Sequence, residues 1–139
     1  MKCPHCDDGH LVYDIRSIPY TYKGKTTLIH DVVGDYCKSC KEIIHIREHG
    51  HEFHEHVRGF RDKVDADARL RARLRKIRTG LGLSRSEAGS LLGGGAQAFA
   101  GYESGEAEVP EALVNLLLLL ERRPELIADV RELGADTKR

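Results

Sequence analysis

The chain has 139 residues, room for one ordinary domain or two small ones, and its 22 Lys plus Arg balance 22 Asp plus Glu. A formal net charge of zero gives no nucleic-acid signal at the level of composition, and no run is long and apolar enough to span a bilayer. Met1-Lys2-Cys3-Pro4 does not read as a signal peptide, so the expectation is a cytoplasmic protein whose paired thiols serve as metal ligands rather than disulfides.

Cys3-Pro4-His5-Cys6 and Cys37-Lys38-Ser39-Cys40 are two C-x-x-C pairs, each able to wrap a tight turn around an ion. Four thiolates suit tetrahedral Zn²⁺, with Cys3, Cys6, Cys37 and Cys40 as ligands to one structural ion per chain. A redox switch, iron or disulfides would use the same residues, and the compartment argument favours zinc. Four cysteines leave no open coordination position for catalysis. Between the pairs, Leu11–Ile15, Ile18–Tyr22 and Thr26–Ile29 leading to Val32 and Val33 read as strands, with a turn at Lys23-Gly24. A region of about forty residues buries too little surface to fold unaided, so metal would supply much of its stability. His5 and His10 lie near the pairs and read as surface histidines.

From Glu42 to Val64 the reading is helical, because Phe53, Val57, Phe60 and Val64 recur at helical spacing. His45, His49, His51, His54 and His56 fall here without forming H-E-x-x-H; they read as solvated histidines on the polar face of a linking helix, with weak adventitious metal binding as the alternative. Arg58 and Arg61 are placed near the C-terminal end of that helix, where they suit its dipole and can reach a phosphate. Val64-Asp65-Ala66-Asp67-Ala68 is read as a separator, giving domains at 1–67 and 68–139.

A basic helix, Arg69 to Thr79, follows and ends at Gly80; Arg69, Arg71, Arg73, Arg75, Lys76 and Arg78 occur before any acid until Glu87. Such a run is either a DNA-facing surface or a merely solvated one. Leu83 to Gly105 is the stretch around which the rest is organised. Ser84-Arg85-Ser86-Glu87 is a capping box, and Ala88, Leu91 and Leu92 give the inner face of a short helix. Gly93-Gly94-Gly95 breaks it. A second short helix presents Phe99 and Tyr102 on one face and ends at Gly105. Two short helices joined by a tight turn form a helix-turn-helix, which places the second in a DNA major groove; a helical hairpin in some other bundle is the alternative. Pro110 then opens a helix through Glu121 with Leu113, Leu116, Leu117 and Leu120 as its core stripe. Leu118 and Leu119 lie off that stripe and suggest a symmetric dimer interface. Pro124 starts a last helix to Leu133, and Gly134 to Arg139 is expected to fray.

Residues 69–120 resemble the helix-turn-helix family of Cro/C1-type phage repressors through Leu74, Arg78, Leu81, Leu83-Ser84, Glu87-Ala88, Leu91, the glycine turn, Tyr102-Glu103, Gly105 and Pro110. Almost the whole chain, Met1 to about Val130, resembles the MqsA-type antitoxins, in its C-x-x-C…C-x-x-C layout and in Ile18-Pro19-Tyr20-Thr21, Gly93-Gly94-Gly95, Ala98-Phe99 and Tyr102-Glu103. The resemblance implies an antitoxin of a type II toxin–antitoxin module. Its zinc domain would neutralise a messenger-RNA-cleaving toxin, and its C-terminal domain would form a homodimer and repress the operon on palindromic double-stranded DNA. The resemblance places Ala96, Gln97 and Gly101 at DNA-facing positions of the recognition helix and implies a structural ion pair between Arg78 and Glu103. Arg85, where related regulators often carry Gln, is read as a phosphate contact, and Arg58 and Arg61 remain the further DNA-contact candidates. Gln97 stands where the family has a base-reading Asn, and can reach adenine N6 and N7 from one methylene further out. Gly101 stands where the family has a guanine-reading Arg and offers no donor.

The fold expected is therefore α+β: a small zinc-bound antiparallel β domain with a linking helix, then an all-α five-helix domain. The function expected is a non-enzymatic, DNA-binding antitoxin. A stand-alone zinc-containing repressor, its zinc domain sensing metal or oxidation, is the alternative. A metal hydrolase built on the histidines is a weaker rival, because no nucleophile–base set stands out.

Overall fold

The computed structural model describes residues 1–137, and the chain divides into two compact units, Met1–Asp65 and Ala66–Arg139. The first unit is built on a long antiparallel hairpin, β1 (Leu11–Tyr22) and β2 (Lys25–Cys37). Tyr22 pairs with Lys25 across Lys23 and Gly24, both at positive φ, the two-residue loop whose twist matches the strands. Burial alternates along β1, so Val12, Ile18, Tyr20 and Tyr22 share the covered face while Tyr13, Ile15 and Pro19 face out. A third strand, β3 (Ile43–Ile46), pairs with the outer edge of β2, giving the order β1-β2-β3.

That strand corrects the helical reading of the whole Glu42–Val64 stretch. Three of the four residues Ile43-Ile44-His45-Ile46 are β-branched, and a waiting edge of β2 rewards them more than an isolated helical turn would. His45 therefore sits on a strand and shares no helix face with His49, whose φ of 59° lies outside any helix.

Helix α1 runs unbroken from Gly50 to Gly80, which corrects the expected interruption at Val64–Ala68. Nothing in Val64-Asp65-Ala66-Asp67-Ala68 can stop a helix: Ala is the best helix former and Asp costs only tenths of a kcal/mol, roughly, relative to it. Arg58 and Arg61 consequently lie well inside the helix, not at its C-terminal end, and the dipole argument for them fails. Within the first unit, Phe53, Val57, Phe60 and Val64 form the less exposed stripe of α1, and the Tyr20 and Phe60 rings meet edge to face at 6.0 Å.

Among the described residues, the second unit contains the end of α1 and four more α-helices: α2 (Arg85–Leu92), α3 (Ala98–Ser104), α4 (Glu111–Arg122) and α5 (Ile127–Thr137). A single 3₁₀ turn, Pro124–Leu126, leads into α5. Helix α5 continues through Gly134 to Thr137 where fraying was expected; Lys138 and Arg139 lie outside the described residues. The core is Leu74, Ile77, Leu83, Ala88, Phe99, Leu113 and Leu117, and each large apolar side chain so buried contributes about 1.5–3 kcal/mol over its exposed state. Leu118 packs partly onto this core, so Leu119, about half exposed, is what remains of the apolar surplus expected on α4.

Candidate metal centre and candidate nucleic-acid interface

The four cysteines are carried by two matching loops. In the first, the Asp7 amide donates to the Cys3 carbonyl at 3.1 Å; in the second, the Lys41 amide donates to the Cys37 carbonyl at 3.1 Å. Asp7 and Lys41 both take positive φ, 58° and 67°, which reverses each loop on itself. In each loop the amide two residues on donates to the first sulfur, His5 to Cys3 Sγ at 3.3 Å and Ser39 to Cys37 Sγ at 3.4 Å. The Lys38 amide donating to the His10 carbonyl at 3.2 Å ties one loop to the other.

All four sulfurs lie within 4.8 Å of one another, with Cys3 to Cys40 at 3.9 Å and Cys6 to Cys37 at 3.6 Å. A tetrahedral ion with metal–sulfur bonds of about 2.3 Å requires sulfur–sulfur edges of about 3.8 Å, so the donor set fits one four-coordinate metal. Cys3 and Cys37 are fully buried. The sulfurs are not equivalent. The Cys37 thiol is held down to about 6, first by the Cys40 backbone amide and then, against burial, by that of Ser39. The Cys40 thiol is pushed up to about 12: the Glu42 backbone pulls it down, but burial and the neighbouring thiols outweigh it. A bound metal would displace the protons these sulfurs hold, and the paired amides pointing at Cys3 and Cys37 would then stabilise thiolate charge.

Sequence reasoning missed Gly9. A Cβ at this position would stand 2.2 Å from Cys37 Sγ and 3.3 Å from Cys6 Sγ, so the backbone can pass under the sulfurs only without a side chain. The spacing C-x-x-C-x-x-G was the available signal.

In the second unit, Ser84 caps α2 as its sequence promised: the Glu87 amide donates to the Ser84 hydroxyl at 3.1 Å and the Ser84 amide to the Glu87 carboxylate at 3.3 Å. Helix α2 stops at Leu92, and Gly93, Gly94 and Gly95 all take positive φ near 90–115°. The turn lies directly on Gly89, where a Cβ would meet the Gly95 carbonyl oxygen at 1.9 Å. Helix α3 then sits with Phe99 in the core and edge-on to Tyr102 at 5.6 Å, and Gly105 closes it in the left-handed region at φ 94°.

Of the residues considered for DNA contact, Arg85, Ala96 and Gln97 are exposed, at the first turn of α2 and the entrance to α3. Gly101 is half-buried, and a Cβ there would begin 3.3 Å from the Ala107 side chain in the loop after α3. Arg58 pairs with Glu55 at 3.1 Å, and Arg61 stacks on the Tyr22 ring with its guanidinium carbon 4.7 Å from the centroid. Both belong to the first unit and are held by its own residues.

The basic run on α1 is largely occupied. Arg71 donates to the carbonyls of Tyr102 and Ala107, clamping the end of α3 and the following loop. Arg73 pairs with Glu121 at 2.6 Å. Arg78 and Glu103 form an ion pair at 2.9 Å with side chains only 8% and 9% exposed, and Arg78 Nη1 also donates to the Leu83 carbonyl at 2.8 Å. Arg69, Arg75 and Lys76 remain as exposed cations. Half the apparent DNA-facing charge is thus structural.

No helix among the described residues is long and apolar enough to cross a membrane. Residues 1–131 match the family described as the antitoxin component of bacterial toxin–antitoxin systems, MqsA. Antitoxin MqsA of Escherichia coli (strain K12) is 37% identical over 131 residues, covering 94% of this chain and all of that one. The solved N-terminal domain of the E. coli protein MqsA is 41% identical over 48% of this chain and 98% of its own, with a TM-score of 0.43. With the four-cysteine centre in one unit and the capped helix pair in the other, the chain belongs to the MqsA antitoxin family.

Proposed function

We propose that this protein is a non-enzymatic antitoxin. Its first unit, organised by one structural Zn²⁺ on Cys3, Cys6, Cys37 and Cys40, neutralises a messenger-RNA-cleaving toxin. Its second unit dimerises and represses the operon from palindromic DNA. What carries this reading is one family-matched chain that holds both a tetrathiolate donor set and, separately, two short helices around a triglycine turn. Zinc is preferred among metals because it takes four thiolates tetrahedrally and brings no redox chemistry. The domain organisation proposed is 1–67 for toxin binding with its helical connection, and 68–139 for DNA binding and dimerisation, with Leu119 available to a second copy.

Growth rescue tests the antitoxin half. Co-expression of the chain with the small reading frame beside its gene is expected to restore growth that the frame alone arrests, and residues 1–67 are expected to suffice and to co-purify with it. If no neighbour is toxic or bound, the protein is instead a zinc-containing transcription regulator.

For the DNA half, α3 is the recognition helix and its exposed entrance, Ala96-Gln97, meets base edges. A bidentate Gln–adenine contact discriminates by about 1–3 kcal/mol, whereas Gly101 contributes no donor, so base reading falls on Gln97. Arg85, at the start of α2, contacts phosphate. Gln97→Ala is expected to erase the preference for the operator over random DNA. Arg85→Ala is expected to weaken both alike and to lower the salt slope by about one unit. Equal loss on both DNAs for Gln97→Ala in a binding titration would refute the assignment.

A further inference from the structure

Tyr102 carries a polar group that the fold does not use. Its ring packs against the core of the second unit and meets Phe99 edge to face at 5.6 Å, and its backbone carbonyl accepts from Arg71. The hydroxyl is different. Among the described residues it makes no hydrogen bond, and no side-chain oxygen or nitrogen buried from solvent lacks a partner, so this oxygen reaches the surface.

The glycine turn sets where it emerges. Tyr102 lies one helical turn beyond Ala98 on the same face of α3, and helical side chains lean toward the N-terminus, here back toward the glycines. A Cβ on Gly94 would stand 3.1 Å from the Tyr102 hydroxyl oxygen and 2.7 Å from the Ala98 side chain. Gly94 itself is exposed and takes a φ of 91°. The middle glycine of the turn thus leaves open the slot through which the phenol comes out.

We propose, resting on the reading of α3 as the recognition helix, that the Tyr102 hydroxyl donates a hydrogen bond to a backbone phosphate of DNA at the edge of the groove that α3 enters. Gln97 follows Gly94 by three residues, at most about 11 Å of chain, and a major groove is about 12 Å wide. A base contact from Gln97 therefore sets the turn against the groove wall, where the phosphates run. The ring is held by Phe99 and the glycine slot, so the hydroxyl cannot follow Gln97 to the base edges. It fixes register and carries no sequence information, as tyrosine contacts to phosphate do. The contact differs in kind from that of Arg85. A neutral donor displaces no counterion, so it adds affinity without steepening the salt dependence.

The test compares the full chain with Tyr102→Phe, which keeps the ring and removes only the oxygen. The probes are the duplex immediately upstream of the chain's own gene and a scrambled duplex of equal composition, each titrated over a range of salt concentrations. Tyr102→Phe is expected to melt with the wild type and to bind both duplexes about tenfold more weakly, the loss of one hydrogen bond to a charged group. The ratio between the duplexes and the salt slope are expected to stay as they were, whereas Arg85→Ala lowers the slope. Wild-type affinity in Tyr102→Phe overturns the phosphate contact and leaves the DNA reading intact. So does a loss confined to the upstream duplex, which marks a base contact, or a lowered melting temperature, which marks a structural hydroxyl. A wild type that binds neither duplex overturns the reading of α3 and this contact with it.

Discussion

Replacing Cys37 with serine is expected to cost the first unit its metal and its fold while the helices from Ala66 onward persist. Cys37 is fully buried, closes β2, and places its sulfur 3.6 Å from that of Cys6. Serine keeps the volume but supplies an oxygen that zinc binds poorly as an alcohol. Metal binding in such small domains is folding energy of about 10–16 kcal/mol, so one ligand of four stands for roughly 3 kcal/mol of it. That is a large share of the stability any small domain has, about 5–15 kcal/mol. Gly9→Ala makes the same point with every cysteine kept: its Cβ would stand 2.2 Å from Cys37 Sγ and 3.2 Å from Ser39 Cβ, so the loops must separate and metal affinity should fall about tenfold or more. Lys38→Ala, exposed between the ligands, should leave the site intact. Zinc content after dialysis against a chelator, read beside thermal melting, decides the matter. A serine variant that keeps a full equivalent of zinc and an unchanged melt would show that Cys37 is no ligand.

The local devices of this chain were legible because each is written in a few adjacent residues. The capping box at Ser84–Glu87, the triglycine stop, the turn at Lys23-Gly24 and the paired C-x-x-C loops depend on neighbours within four positions, and all adopt the geometry their chemistry requires. What sequence alone misplaced depended on partners elsewhere. Ile43–Ile46 became a strand because β2 offered it an edge, and α1 stayed whole because polar, alanine-rich composition marks a surface without marking a break.

The same distinction runs through the candidate sites. The cysteine cluster could be assembled from spacing, but Gly9 matters only because Cys37 returns from the far end of a hairpin to lie beside it. The arginines of α1 looked interchangeable as a run of charge, yet Arg71, Arg73 and Arg78 each find a different partner 25 to 48 positions later. Periodicity assigns a residue to a face; only tertiary structure says what that face meets.

Arg78 and Glu103 are expected to show strong coupling in a double-mutant cycle. Arg78 Nε reaches both carboxylate oxygens of Glu103 at 3.2 Å and Nη2 reaches one at 2.9 Å, while Nη1 holds the Leu83 carbonyl. One guanidinium thus joins α1 to α3 and to the residue preceding the cap of α2, in a place where both side chains are more than nine-tenths buried. Desolvating two charges consumes most of what their attraction returns, so the pair adds little net stability compared with apolar packing. Breaking it is another matter. Arg78→Met leaves a buried carboxylate and an unanswered carbonyl, and Glu103→Leu leaves a buried cation; each is expected to cost about 3–5 kcal/mol. The double variant removes both charges and should recover much of that loss, since only the Leu83 carbonyl is then left wanting a donor. Chemical denaturation of the four proteins gives the coupling directly, and additive losses within about 0.5 kcal/mol would show the two residues to be independent. Operator binding supplies the functional reading. If the pair exists to hold α3 at a fixed angle to α2, the double variant will fold well yet bind DNA poorly, because apolar side chains of similar volume can fill the space without dictating a bidentate geometry.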